Sequence, residues 1–178
     1  MLDVDPYAAL QKLRPAGSFT VTSEDFTDGG PLARPQWSVA AGGVDRSPQL
    51  SWSGFPDRTR SFAVTCLDAD APSGSGWWHW AVANIPVSVT SLEAGAGAHG
   101  GAPLPPGALV LRNDDGERGF GGIAPPRGTG VHRYMFVVHA LDVPGLELDP
   151  DVTPAVLGVR CFLHGLARGI LVGTVSRD

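Results

Sequence analysis

Asp68, His79, His132 and Tyr134 are the side chains of this 178-residue chain whose types could do chemistry together. Two carboxylates, Asp68 and Asp70, close an apolar run. The loop P-S-G-S-G follows at 72–76, and then W-W-H-W at 77–80 sets three indoles around one imidazole. A second part, G-V-H-R-Y at 130–134, comes after a glycine- and proline-rich loop at 119–130. Strand ends beside rigid loops are where pockets form in β proteins, and these residues would make a small polar one with apolar sides. An imidazolium and a phenol donate hydrogen bonds to the oxygens of a phosphate-like anion. A nearby aspartate favours both protonated imidazoles and repels the anion unless it shares a proton, so affinity is expected to rise as pH falls towards about 6. The same residues have the composition of a two-histidine-one-carboxylate metal site or an acid–base pair for hydrolysis, which makes an enzyme the rival reading. Taken singly, each also has an ordinary role: an aspartate at a strand end caps a turn, and a histidine among tryptophans fills a core. Spacing alone does not show that the four converge.

Other motif matches fail on context. G-A-G-A-H-G at 95–100 fits G-x-G-x-x-G literally, but G-A-P-L-P-P follows it and cannot open the helix that a dinucleotide fingerprint needs. No nucleophile elbow of the form G-x-S-x-G occurs, and Lys12, the one lysine, is not preceded by glycine as a phosphate loop requires. Cys161 and His164 have half a zinc spacing, yet Cys66 is the one other cysteine. His164 reads as a helix boundary residue.

The elements that must position the four residues follow from hydrophobic period and turn chemistry. Asp5 and Pro6 predict the N-cap and first position of a short helix over 7–13. Residues 18–23 alternate as a strand with Phe19 and Val21 on one face. Residues 35–48 are irregular, with Trp37 covering a sheet edge, and 50–53 form a short strand. The clearest strand is 61–68: Phe62, Val64 and Cys66 point one way, Ala63, Thr65 and Leu67 the other, so it lies between two covering layers. Asp68 falls on the Phe62 face. Residues 78–85 predict the next strand, with His79, Ala81 and Ala83 on one face and Trp78 and Trp80 on the other, in the core. Asp70 reads as a turn-former. Residues 109–113 predict a strand ended by an Asp-Gly turn, and 132–142 a long strand with His132, Tyr134, Phe136 and Val138 on one face. A helix after Thr153-Pro154 is expected to face inward with Val156, Val159, Leu163, Leu166 and Ile170, before a final strand over 170–175.

Composition bounds the rest. The chain is long enough for one domain with its own core, and 24 Gly with 16 Pro spread along it imply many turns between short strands. A net charge of -5 argues against non-specific nucleic-acid binding. The start M-L-D-V-D-P-Y has neither the basic nor the apolar region of a signal peptide, and no apolar run is long enough to span a bilayer. Cys66 and Cys161 then read as buried free thiols, and the expected location is the cytoplasm.

The chain resembles the phosphatidylethanolamine-binding protein family, also described as Raf-kinase-inhibitor-like, in its bacterial branch. The residues that carry the resemblance are S-P-Q-L-S-W-S-G at 47–54, S-F-A-V at 61–64, D-A-D-A-P at 68–72, G-W-W-H-W at 76–80, N-I-P at 84–86, Asn113-Asp114, Pro125-Pro126 and G-V-H-R-Y at 130–134. It runs from about Ser18 to Val175 in the family's order. It implies a mainly β fold, a single-domain β-sandwich of antiparallel sheets over 1–178, with a short N-terminal helix and a C-terminal helix at the margin. It implies a ligand pocket of Asp68, Pro72, His79, Pro126, His132 and Tyr134, with Trp77 at its edge. The pocket would take a small anion: phosphate, a phosphoethanolamine-like phospholipid head group, a nucleotide or a phosphorylated side chain. No catalysis, metal or cofactor is implied. A kinase or protease partner, protease inhibition through the loop 86–107, and a homodimer are further expectations. Three departures stand out: Ala69 replaces the usual proline between the aspartates and should loosen that turn, Ala124 stands where the family has a small residue or cysteine, and Gly173-Thr174-Val175 lacks the tyrosine often found there.

Overall fold

The computed structural model describes residues 5–98 and 101–178. Residues 1–4, on which the absence of a leader was read, and His99 and Gly100 of the literal G-x-G-x-x-G match lie outside them. In chain order the elements are α1 (Pro6–Leu13), β1 (Gly17–Ser18), β2 (Thr20–Thr22), β3 (Leu50–Ser53), β4 (Ser61–Asp68), β5 (Trp77–Pro86), β6 (Ser91–Leu92), β7 (Leu109–Val110), β8 (Val131–Leu141), α2 (Pro154–His164) and β9 (Gly165–Ser176). A six-stranded sheet in the order β1-β9-β8-β4-β5-β7 faces a three-stranded sheet, β2-β3-β6. Pairing is antiparallel except where β1 runs parallel to β9. The expected β-sandwich is therefore the observed one.

β4 is buried at every position, as its apolar faces require. Its front residues Phe62, Val64 and Cys66 pack with Trp52, Trp80, Phe136 and Val138 between the sheets. Its back residue Ala63 packs with Leu141, Leu157 and Cys161 under α2. Tyr7 of α1 covers Ala69, Met135 and Val137 on the same back face. Asp5 caps α1 as predicted, accepting hydrogen bonds from the Tyr7 and Ala8 N–H groups, each at 2.9 Å. Both cysteines are free and buried.

Several expectations are corrected. The strand expected over 18–23 divides at Phe19, which lets the chain leave one sheet for the other. The strand at 109–113 shortens to β7. Trp37 bridges to Ile123, with the Arg34 guanidinium 4.2 Å from its ring centroid. α2 buries Pro154, Leu157 and Cys161 and leaves Val156, Val159 and Leu163 exposed, so the apolar stripe assigned inward points outward. Leu166 and Ile170 belong to β9, which begins at Gly165. The core face of β9 includes Gly169 and Gly173, where an added Cβ would collide with Val21 and Leu32. Neighbouring side chains fill these positions, so no apolar alternation marks the strand.

His139, buried on the back face of β8, has its pKa pushed down to about 3 by burial, with Arg168 acting in the same direction. The folded state holds it neutral, whereas the unfolded chain takes up a proton near its ordinary value. Stability from this group is complete above that value and is lost as pH falls from there towards about 3. Urea unfolding should show a loss on the order of 2 kcal/mol between about pH 7 and pH 4.5 through this histidine. The His139→Gln variant should show a correspondingly shallower pH dependence.

Candidate functional site

Asp68 ends β4 directly opposite Tyr134 of β8, and both face the front. Beyond Asp68 the chain is fastened by three sets of bonds. The Ala69 N–H donates to the Arg133 carbonyl at 3.1 Å, which a proline could not do, so the alanine ties the turn down where loosening was expected. The Asp70 N–H donates to Asp68 Oδ1 at 2.9 Å. Asp70 itself accepts from Arg133 Nε at 2.7 Å, Nη2 at 3.1 Å and the backbone N–H at 3.0 Å. Asp70 is thus the buried half of a forked ion pair, and not simply a turn-former. Gly76, with φ +76, brings the loop back to β5; a Cβ there would stand 2.8 Å from the Asp68 carbonyl oxygen.

β5 carries a bulge at the site. Cys66 pairs with Trp80 and Leu67 with Trp78, leaving His79 as an extra residue. The bulge corrects the expected faces. His79 turns to the front with Trp80, its ring 5.3 Å from that of Tyr134 and 6.4 Å from Phe120. Trp78 lies on the back, while Ala81 and Ala83 join the core beneath α2. His79 Nδ1 donates to the Gly121 carbonyl at 2.8 Å, and the Gly121 N–H donates to the His79 carbonyl at 2.8 Å, so the second loop is tied to the bulge. Burial lowers the His79 pKa and outweighs the Gly121 hydrogen bond and the Asp68 charge, both of which raise it. The expected rise at this imidazole is corrected on that ground.

His132 is 1% exposed and does not line the cavity. Its Nδ1 lies 2.8 Å from Asp68 Oδ2 and its Nε2 lies 2.8 Å from Thr129 Oγ1. Thr129 gives its one hydroxyl hydrogen to the Pro126 carbonyl at 2.6 Å, so Nε2 must be the donor to Thr129. Nδ1 and Asp68 Oδ2 are joined by a buried hydrogen bond, so both ring nitrogens have partners. With both ring nitrogens engaged, His132 offers nothing to a metal. Among the described residues, no group of three or more His, Cys, Asp or Glu side chains could hold one.

The cavity, about 330 Å³, is lined by Asp68, Pro72, Trp77, His79, Pro126 and Tyr134, the remaining expected residues. Sequence reasoning missed Asp115 at its mouth and Pro125 in its wall. The Asp-Gly turn at 114–116 was legible as a turn. What brings it here is the pair of bonds between Asp114 and Trp78: N–H to Oδ2 at 2.7 Å, and Asp114 N–H to the Trp78 carbonyl at 3.0 Å. At the cavity floor the Tyr134 hydroxyl is buried close to Asp68, and no described residue makes a hydrogen bond of normal geometry to it. Burial first, then the Asp68 carboxylate, hold its pKa well above the ordinary value, so it remains a donor.

Two facing sheets with a small cavity at a strand end make a β-sandwich with a candidate ligand site. The chain belongs to the phosphatidylethanolamine-binding protein family, whose model matches residues 22–176. It is 46% identical over 154 residues to the UPF0098 protein YbcL of Escherichia coli, covering 85% of this chain and 84% of that one. It is 41% identical over 156 residues to YbhB of the same organism, covering 86% and 98%. The crystal structure of E. coli YbcL, described as a new member of the mammalian PEBP family, superposes with a TM-score of 0.86 over 91% of this chain and 100% of that one, at 41% identity. A homolog from Chlamydia trachomatis superposes with a TM-score of 0.76 at 30% identity, covering 92% and 100%.

Two substitutions at the cavity should behave in opposite ways. Asp68→Ala strands the His132 ring in a buried site and should cost about 2–4 kcal/mol of stability. Tyr134→Phe removes a hydroxyl with at most a weak contact to Asp68 and should change stability by less than about 1 kcal/mol. Chemical denaturation of the two variants against the parent measures both.

Proposed function

We propose that this chain is a non-catalytic binding protein for a phosphate group that carries a cationic tail, of the phosphoethanolamine type. The observation that carries the reading is the buried Tyr134 hydroxyl beside the His79 ring, which lies close to Asp68 but makes no hydrogen bond of normal geometry to a described residue. A phosphate oxygen would complete its hydrogen bonding, and a second oxygen would meet His79 Nε2, since Nδ1 is held by Gly121. His132 engages Asp68 Oδ2 and so tempers the repulsion the carboxylate would exert there. The cavity lining contains Asp115 and no lysine or arginine. That balance favours a zwitterionic head group over a nucleotide or bare polyanion, with the ammonium near Asp115. Pro72, Trp77, Pro125 and Pro126 supply apolar walls for the linking carbons.

Two features support binding over hydrolysis. The Ser73 hydroxyl, in the cavity wall, donates to the Gly76 carbonyl. His132 is committed behind Asp68. Modulation of a kinase or protease partner through an occupied pocket remains part of the proposal, as does cytoplasmic action. No helix among the described residues is long and apolar enough to cross a membrane.

Anion binding at Nε2 favours the imidazolium, so the His79 pKa rises on binding and binding takes up a proton. Affinity should therefore increase as pH falls through the bound-state pKa and level off below the lowered free-state value. Calorimetry with glycerophosphoethanolamine, a diester whose charge is constant between about pH 5 and 8, isolates the protein's own titration. Tyr134→Phe should weaken binding about tenfold, the worth of one charge-assisted hydrogen bond. Equal affinity across the pH range and in Tyr134→Phe would remove the reading.

A further inference from the structure

A second cavity, about 370 Å³, lies on the other side of the large sheet, between its back face and the two helices. Its walls are mostly apolar: Leu10 and Leu13 of α1, Leu67 and Trp78 of the sheet, Val159 and Phe162 of α2. Into this lining projects Arg168 of β9, the cross-strand partner of His139. Arg168 Nη1 is buried and has no hydrogen-bond partner among the described residues. Its Cζ stands 5.9 Å from the centroid of the Tyr7 ring. Among the described residues of the lining Arg168 carries the one formal charge, since His139 is held neutral. The other polar groups there are joined loosely to one another, Tyr7 hydroxyl to Thr65 Oγ1 at 3.4 Å and Thr65 Oγ1 to His139 Nε2 at 3.5 Å.

We propose that this cavity is a second ligand site, taking an amphipathic monocarboxylate with its carboxylate on Arg168 and its hydrocarbon body between α1 and α2. An unpaired guanidinium nitrogen out of water is costly, and a carboxylate matches its planar fork. One cation in an apolar chamber calls for one negative charge; a phosphate dianion would leave the excess unpaired. The volume holds about a dozen heavy atoms at roughly 30 Å³ each, the share of a molecule of liquid water, which is the size of decanoate. The chamber has room on the helix side, because a Cβ added at Gly158 would meet nothing within 4 Å. At the mouth, Leu13 (76% exposed) and Val159 (59%) continue the apolar wall outward. Val159 is one of the outward residues of α2 that the sequence pattern assigned to the core.

Calorimetry on the full chain with decanoate and with decylammonium tests the proposal. Decanoate should bind with submillimolar affinity, and decylammonium should not bind. Gly158→Leu, which replaces a poor helix former and fills the chamber, should abolish decanoate binding with no fall in melting temperature. Arg168→Gln should weaken binding roughly tenfold or more, the worth of a charge-assisted pair. Neither variant should alter binding of glycerophosphoethanolamine, and that ligand should not compete with decanoate. The proposal is overturned by any of three results: no decanoate binding, equal binding of decylammonium, or decanoate binding unchanged in Gly158→Leu. Competition from glycerophosphoethanolamine would place decanoate in the front cavity and overturn it as well.

Discussion

The contact between Asp68 and His132 is the constraint on which the site depends. Neither group could be buried at the strand end alone, because an isolated charge out of water costs several kcal/mol. Together they satisfy one another, and their remaining bonds reach both loops. Asp68 Oδ1 takes the Asp70 N–H, which starts the first loop, and His132 passes through Thr129 to the Pro126 carbonyl in the second. One buried pair therefore fixes the separation of the two cavity walls. It also leaves the space between them to a donor with at most a weak contact to Asp68, Tyr134.

The bulge at His79 solves a second problem. Strict alternation would carry the imidazole to the same side as Ala81 and Ala83, under α2. One extra residue rotates it to the front, and the two bonds to Gly121 hold it there while anchoring the opposite loop. A further register shift nearer the end of β5 lies beside Asn84, which adopts φ 59 and bonds through its side chain to Leu146. Both irregularities sit at places where the sheet must present a side chain or meet a loop.

Much of this was legible in the residues. The doubly apolar run at 61–68 announced a central strand, the Asp5-Pro6 start announced α1, and the Pro/Gly loops next to Asp68 and His132 announced a pocket. What could not be read were features that depend on distant partners. Gly169 and Gly173 hide the inner face of β9 because Val21 and Leu32 occupy the space their side chains would take. Asp70 looks like a turn residue until Arg133 is brought beside it across the ladder. α2 is apolar on more than one face, so period alone could not decide which face turns inward. Nothing local distinguishes His79 as a bulge residue, since Trp78 and Trp80 are equally at home on either side of a buried sheet.

The reversal of side chains at that bulge has an optical consequence. Trp77 borders the front cavity and Trp78 the back one, although they are adjacent in the chain. Two consecutive indoles thus look out through opposite sides of a single sheet. With the other four tryptophans replaced by phenylalanine, either one would be a fluorescent reporter of its own chamber. The emission of the unmodified protein adds the signals of Trp37, Trp52 and Trp80 to these two views.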